Sequence, residues 1–344
     1  MRRDTTAAAP GPAAHRMPRT GPGERGVRTA WSIRRRIADL DPVRDNEEVT
    51  RLSFGVLYAD AFFVHAAYTV AFARQMSIPS ISRVVHRRGT GDLVVDARRR
   101  NDHTLLFFGE MIRSGHSGEA GRAAIERMER IHSRFGITDE DKLYTLASLA
   151  FEPTRILDHL GLRLFTHAEK VAHYHFWRGV GEYMGLPVPT TAEAFRAWTL
   201  DYERRHSATT EGGCAVVAAL FGDWRTRWFP GPLGRFADPA LLLLLDRPLR
   251  RVHRLPDPPA WLDRRSGPLF APYLALQGNR PHRMDRSWVE HFGGRRGAPL
   301  DLSRLGHRAP ERPGPDGKPF PARPDGRIAW PDAPETTNSR SGLE

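Results

Sequence analysis

Two threonine-based capping boxes, Thr166-x-x-Glu169 and Thr190-x-x-Glu193, stand in the middle of the chain, and each opens a run whose apolar residues recur at helical spacing. Thr138 precedes a third such run, DEDKLYTLASLAF, with acids in its first turn where the helix dipole favours them. Residues 46–75 form a long apolar-periodic stretch that stops ahead of Pro79, which predicts one core helix. Residues 98–113 predict another helix, while Pro79, Gly89 and Gly91 make 78–96 a short helix and loop. Pro153 predicts a break, with a new helix starting at Glu152-Pro153 and stopping at Gly161. Strand alternation is absent apart from a possible pair near Val94, so the expected class is all-α with a central bundle.

With 344 residues the chain is long enough to enclose a cavity. Its net charge of +12 raises a nucleic-acid reading, but the basicity is concentrated at the start: residues 1–36 carry nine arginines against Asp4 and Glu24. That stretch and the end of the chain are rich in Pro, Gly, Ser and charge, too poor in apolar surface to offset ordering entropy. The expected organisation is a disordered basic arm at 1–36, a helical domain at 37–256, and a partly disordered Pro-rich extension at 257–344 with one short helix near Trp288. No specific nucleic-acid partner is expected. Arg2-Arg3 is followed by no apolar h-region, and the longest aliphatic run, Leu241 to Leu245, is far short of the roughly 20 residues that span a bilayer. Cys214 is the only cysteine, so no intramolecular disulfide forms and a cytoplasmic location is expected.

The chemistry concentrates on two helix faces. In residues 117–136, Ala124, Ile125, Met128, Ile131 and Phe135 make an apolar stripe, and His132 stands inside it, four after Met128. One helix earlier, Arg100, His103 and Thr104 share a face with Phe107, Phe108 and Met111. A buried polar group without a partner costs roughly 1 to 3 kcal/mol, so two inward polar patches call for one. The bland alternatives are a core histidine bonded to a carbonyl, a helix-end salt bridge for Arg100 and a back-bonded hydroxyl for Thr104. Glu129 to His132 is an E-x-x-H, the unit of di-iron bundles, but there is no second copy and Glu129 is placed one turn outside the stripe. His173 and His175 lie on different helix faces, and His159, His206 and His253 read as surface residues. Zinc motifs, a G-x-S-x-G elbow and a phosphate-cradling loop are all missing. Heme asks for less: one inward histidine, an apolar slot and cations near the propionates.

An ordered series of segments then narrows the reading: RNDHT (Arg100 to Thr104), Ile131-His132, LYTLASLAFEPTR (Leu143 to Arg155), FTHAE (Phe165 to Glu169), FWRGVGEYMGLPVP (Phe176 to Pro189) and W-x-x-x-YE (Trp198 to Glu203). It resembles the MpaB-type oxygenases, a group that includes the rubber oxygenases, over residues 46–205. The resemblance implies a globin-like α-helical core holding heme b, with dioxygen as co-substrate and oxidative cleavage of C=C bonds in a small apolar, isoprenoid-like substrate. By position, His132 matches the proximal iron ligand, and Arg100, His103 and Thr104 match the distal motif. Two departures stand out. His103 occupies a position where rubber oxygenases carry a lysine, so it could ligate iron or hydrogen-bond bound oxygen. No glutamate occurs between Met76 and Gly109, which leaves His86, Asp92 and Asp96 as substitutes for a base. The missing glutamate keeps open a non-catalytic heme-binding or interaction protein on the same scaffold, its basic arm reaching an acidic partner. Glu152, Arg155 and Trp177 fall in the matching segments as support for the pocket.

Overall fold

In the computed structural model, which describes residues 26–296, 298 and 300–306, β1 (Val27–Arg28) leads into α1 (Ala30–Ala38), α2 (Asn46–Leu52), α3 (Ala61–Met76), α4 (Pro79–His86), the single turn α5 (Asp92–Val95), α6 (Ala97–Ser114) and α7 (Glu119–His132). The chain continues through α8 (Asp139–His159), α9 (His167–Tyr183), α10 (Ala192–His206), α11 (Glu211–Trp228), α12 (Ala237–Leu242), α13 (Arg247–Val252), α14 (Ala260–Asp263) and α15 (Ser266–Asn279), and ends with β2 (His282–Arg283) and 3-10 turns. The fold is all-α. The only strand pairing among the described residues joins β1 to β2 antiparallel, with Val27 opposite Arg283 and Arg28 opposite His282. Val94, near which the sequence left room for a possible pair of strand residues, lies in α5.

The centre is α3, a mostly apolar helix buried from Val64 to Met76 apart from Ala67, its few polar residues buried with the rest. It packs against α8 and α11, while α6 pairs with α7 and α2 with α9. The one long helix expected over 46–75 is instead two helices bent by 114°. A π-turn at Ser53–Leu57 ends the first, and the Asp60 carboxylate caps the second through the amides of Phe62 and Phe63. Conversely, α8 runs straight through Pro153. Its buried face, Leu143, Leu146, Ala147, Ala150, Ile156 and Leu157, continues on both sides of the proline, and burying that face outweighs the roughly 3 kcal/mol an interior proline costs. Only the first capping box forms, because Thr191 rather than Thr190 caps α10.

Ordered structure begins earlier than the expected arm boundary at 36, since α1 buries Ala30, Ile33 and Ile37; residues 1–25 of that arm lie outside the described residues. The extension from 257 is helical through α14 and α15, and Trp288–Phe292 is the short turn expected there; residues 307–344 lie outside the described residues. No single helix among the described residues is long and apolar enough to cross a membrane.

Candidate functional site

Helices α3 to α9 enclose a cavity of about 170 Å³. Its walls are apolar, with Phe107, Phe108, Leu146, Leu149, Met128 and Trp177 prominent, and the ring of Trp177 meets Phe108 edge-on at 5.9 Å. Arg100, Thr104, His132 and Lys142 are among its polar residues, alongside Gln75, Arg87, Asp92, Asp141 and Thr145. Three of the four residues expected at a site therefore meet in one chamber: Arg100 and Thr104 from α6, and His132 from α7. Met111 does not reach it and packs fully buried in the core.

His132 is the last residue of α7. Its Nδ1 lies 3.3 Å from Oε1 of Glu129, and the other carboxylate oxygen of Glu129 accepts from Lys142 Nζ at 2.9 Å. Glu129 is thus buried, against the expectation that it falls outside the stripe. Burial pushes its carboxyl up, but His132 and Lys142 together outweigh that and hold it below the usual range. A carboxylate on Nδ1 fixes the ring tautomer and leaves Nε2 as the nitrogen available to a ligand. Among the described residues no three His, Cys, Asp or Glu side chains converge as an ion site, so the donors a di-iron centre requires are not brought together.

His103 faces elsewhere. Successive residues of an α-helix point about 100° apart, so His103 and Thr104 cannot share one chamber easily. Thr104 donates to the Arg100 carbonyl at 3.0 Å and accepts from the Arg100 guanidinium. His103 instead lines a second cavity of about 190 Å³ beside the first, together with Thr90, Arg99 and Asp96; Arg100, Asp92 and Gly306 border both. The amide of Gly306 donates to Nδ1 of His103 at 3.1 Å. Burial, with Arg99 and Arg100 nearby, lowers the pKa of this ring. In its neutral form the proton must therefore sit on Nε2, which makes the ring a hydrogen-bond donor rather than a metal ligand in this arrangement.

Of the three candidate bases, Asp92 lines the chamber and pairs with Arg87 at 3.0 Å. Asp96 caps α6 through the Arg99 amide, and His86 packs near Gly212. Lys142 was not anticipated: within E-D-K at a helix start, a lysine reads as solvated. His253, expected at the surface, is buried with Nε2 2.7 Å from the Ala73 carbonyl. Glu152 and Arg155 serve as braces. Glu152 takes Arg74 at 2.6 and 2.8 Å, Arg74 also reaches Asp246 at 2.8 Å, and Arg155 holds Glu203 at 2.6 Å, so α3, α8 and α10 are tied together behind the chamber.

The all-α fold thus brings an imidazole and two arginines, Arg87 and Arg100, into the wall of a largely apolar chamber. Residues 57–276 match the catalytic domain described as ER-bound oxygenase mpaB/B'/rubber oxygenase, and the chain belongs to that family. It is 26% identical over 153 residues to the ER-bound oxygenase mpaB of Penicillium brevicompactum, covering 40% of this chain and 39% of that protein. It is 24% identical over 188 residues to the ER-bound oxygenase mpaB of Penicillium roqueforti (strain FM164), covering 50% and 61%. The matches thus span less than two thirds of these curated relatives. Among solved structures it is similar to latex clearing protein in the closed state, at 18% identity and a TM-score of 0.45, over 69% of this chain and 66% of that one.

Proposed function

We propose that this chain is a heme b-dependent oxygenase acting on an apolar, unsaturated substrate by oxidative C=C cleavage. The observation that carries the reading is His132: an imidazole in the wall of an apolar chamber, its Nδ1 turned to a buried carboxylate and its Nε2 left for a ligand. The residues present fit the group, because an imidazole with one nitrogen free, apolar walls and a nearby cation are what a heme would ask of a protein. When bound, heme supplies the dioxygen and redox chemistry. The chain's part is to bind, orient and exclude water. Glu129, anchored by Lys142, sets the tautomer and direction of His132. Phe107, Phe108, Leu146, Leu149 and Trp177 desolvate and align a hydrocarbon chain. Arg100, whose guanidinium is held by Thr104 and by no carboxylate among the described residues, offers positive charge at the chamber's edge. Asp92, paired with Arg87, is the one of the three candidate bases that lines the chamber.

The test is an absorption spectrum of protein expressed with ample heme precursor. The wild type is expected to show a Soret band that His132→Ala removes while the far-UV circular dichroism is retained. A His132→Ala protein that keeps a full complement of heme with an unchanged spectrum would overturn the assignment.

A further inference from the structure

The second cavity has a chemistry of its own. Two adjacent arginines, Arg99 and Arg100, line its roughly 190 Å³, both partly buried and neither guanidinium paired with a side-chain carboxylate among the described residues. The acids in the same wall are engaged elsewhere: Asp92 with Arg87 at 3.0 Å, and Asp96 with the amide of Arg99 at 3.2 Å. His103 adds a donor, because the Gly306 amide occupies Nδ1 and directs the proton to Nε2. Three donors, two of them cationic, line a space that opens beside an apolar chamber, with Arg100 in the wall of both. Partly buried charge without a partner is costly, and guanidinium groups match the two oxygens of a carboxylate.

We infer that the second cavity is a carboxylate site, serving a molecule whose apolar part occupies the main chamber. Its donors would be Arg99, Arg100 and Nε2–H of His103. The inference rests on the reading of the main chamber as an apolar cofactor and substrate site. Two sources supply this chemistry: the acid end of an unsaturated chain, or a propionate of the cofactor itself.

The experiment titrates the protein, purified as expressed, with oleic acid and with oleyl alcohol, which share chain and double bond and differ in the head group. Binding is read by calorimetry, and heme per protein is measured in parallel for wild type, Arg99→Gln and His103→Gln, each checked for a cooperative thermal transition. Hydrogen bonds to a charged group are worth about 1.5–3 kcal/mol, so oleate should bind at least about 10-fold more tightly than the alcohol, and either substitution should erase most of that preference with heme content unchanged. Equal affinities together with heme lost from both variants would assign the carboxylate to the cofactor. Equal affinities with full heme in both variants, or a preference that survives both substitutions, would overturn the site. Failure of the heme reading shows separately, as wild-type protein without heme, and the calorimetric comparison still decides the carboxylate.

Discussion

Glu129 and His132, one turn apart at the end of α7, are joined by a 3.3 Å contact from Oε1 to Nδ1, and Lys142 closes the other side of the carboxylate at 2.9 Å. An E-x-x-H that in sequence resembles half of a two-metal centre is, in the heme reading proposed above, one ligand nitrogen and its support. The carboxylate does not face the cavity as a donor. It orients the ring that does.

Glu129→Gln therefore removes a charge-assisted acceptor while nearly preserving shape. Outer partners of a metal-bound histidine are worth roughly 10- to 100-fold in affinity, so heme transfer to a high-affinity acceptor such as apomyoglobin should speed up by at least about 10-fold. Transfer at the wild-type rate would show that Glu129 does not tune His132.

Behind the chamber, Glu152→Ala leaves Arg74 with Asp246 as its remaining close carboxylate partner, in a site where Arg74 is 6% exposed. Breaking a buried pair from one side typically costs about 3–5 kcal/mol. Urea denaturation should place the loss near the lower end of that range, because Asp246 still offsets part of the charge. A loss below about 1 kcal/mol, the usual worth of an exposed pair, would mean that the brace is not energetically buried.

The parts legible from sequence were the local ones. Thr166 and Glu169 form the expected reciprocal cap because everything needed lies within four residues. Thr190 and Thr191 are adjacent hydroxyls, and only the path of the incoming loop selects the second. The break between α2 and α3 is a tertiary event: Ser53, in the π-turn, reaches Glu169 of α9 at 2.8 Å, a partner 116 residues away. Lys142 was invisible for the same reason, since its partner Glu129 belongs to the preceding helix. The inward positions of His132, Arg100 and Thr104 were readable because helical periodicity alone fixes them. That His103 falls into a different cavity follows from a turn of about 100°, which spacing rules of i+3 and i+4 treat as the same face.

Glycines in FWRGVGEYMG carry a packing requirement that the motif does not announce. A Cβ on Gly181 would stand 2.5 Å from Leu146 Cδ2 and from Val188 Cγ2, and Leu146 lines the chamber. Gly181→Ala should cost about 1–3 kcal/mol through overpacking and narrow the chamber at Leu146. Thermal unfolding checks the first, and weakened binding of a long-chain hydrocarbon probe the second. An alanine protein of unchanged stability and affinity would show that Leu146 and Val188 move aside freely.

His173 gives a pH prediction whose sign can be worked through. Its ring lies between Phe54 and Phe165, centroids 4.5 and 5.0 Å away, and its Nε2 has no hydrogen-bond partner among the described residues. Burial alone pushes its pKa down to about 3. Above an unfolded value near 6.5 the ring is neutral in both states and contributes no pH dependence. Between about 6.5 and 3 the unfolded chain takes up a proton that the folded protein refuses, so stability falls as pH falls, by up to about 1.4 kcal/mol per pH unit. His65, His103, His116 and His253 are also depressed by burial, so the wild-type slope alone does not isolate one ring. The comparison with His173→Phe does, because contributions common to both proteins cancel. Unfolding free energies measured in urea at several values from pH 7.5 to 4.5 should show the phenylalanine variant gaining on the wild type steadily below pH 6.5, with a constant offset above it. A difference that stays level across the whole range would mean that His173 is protonated in the folded protein, or reaches water.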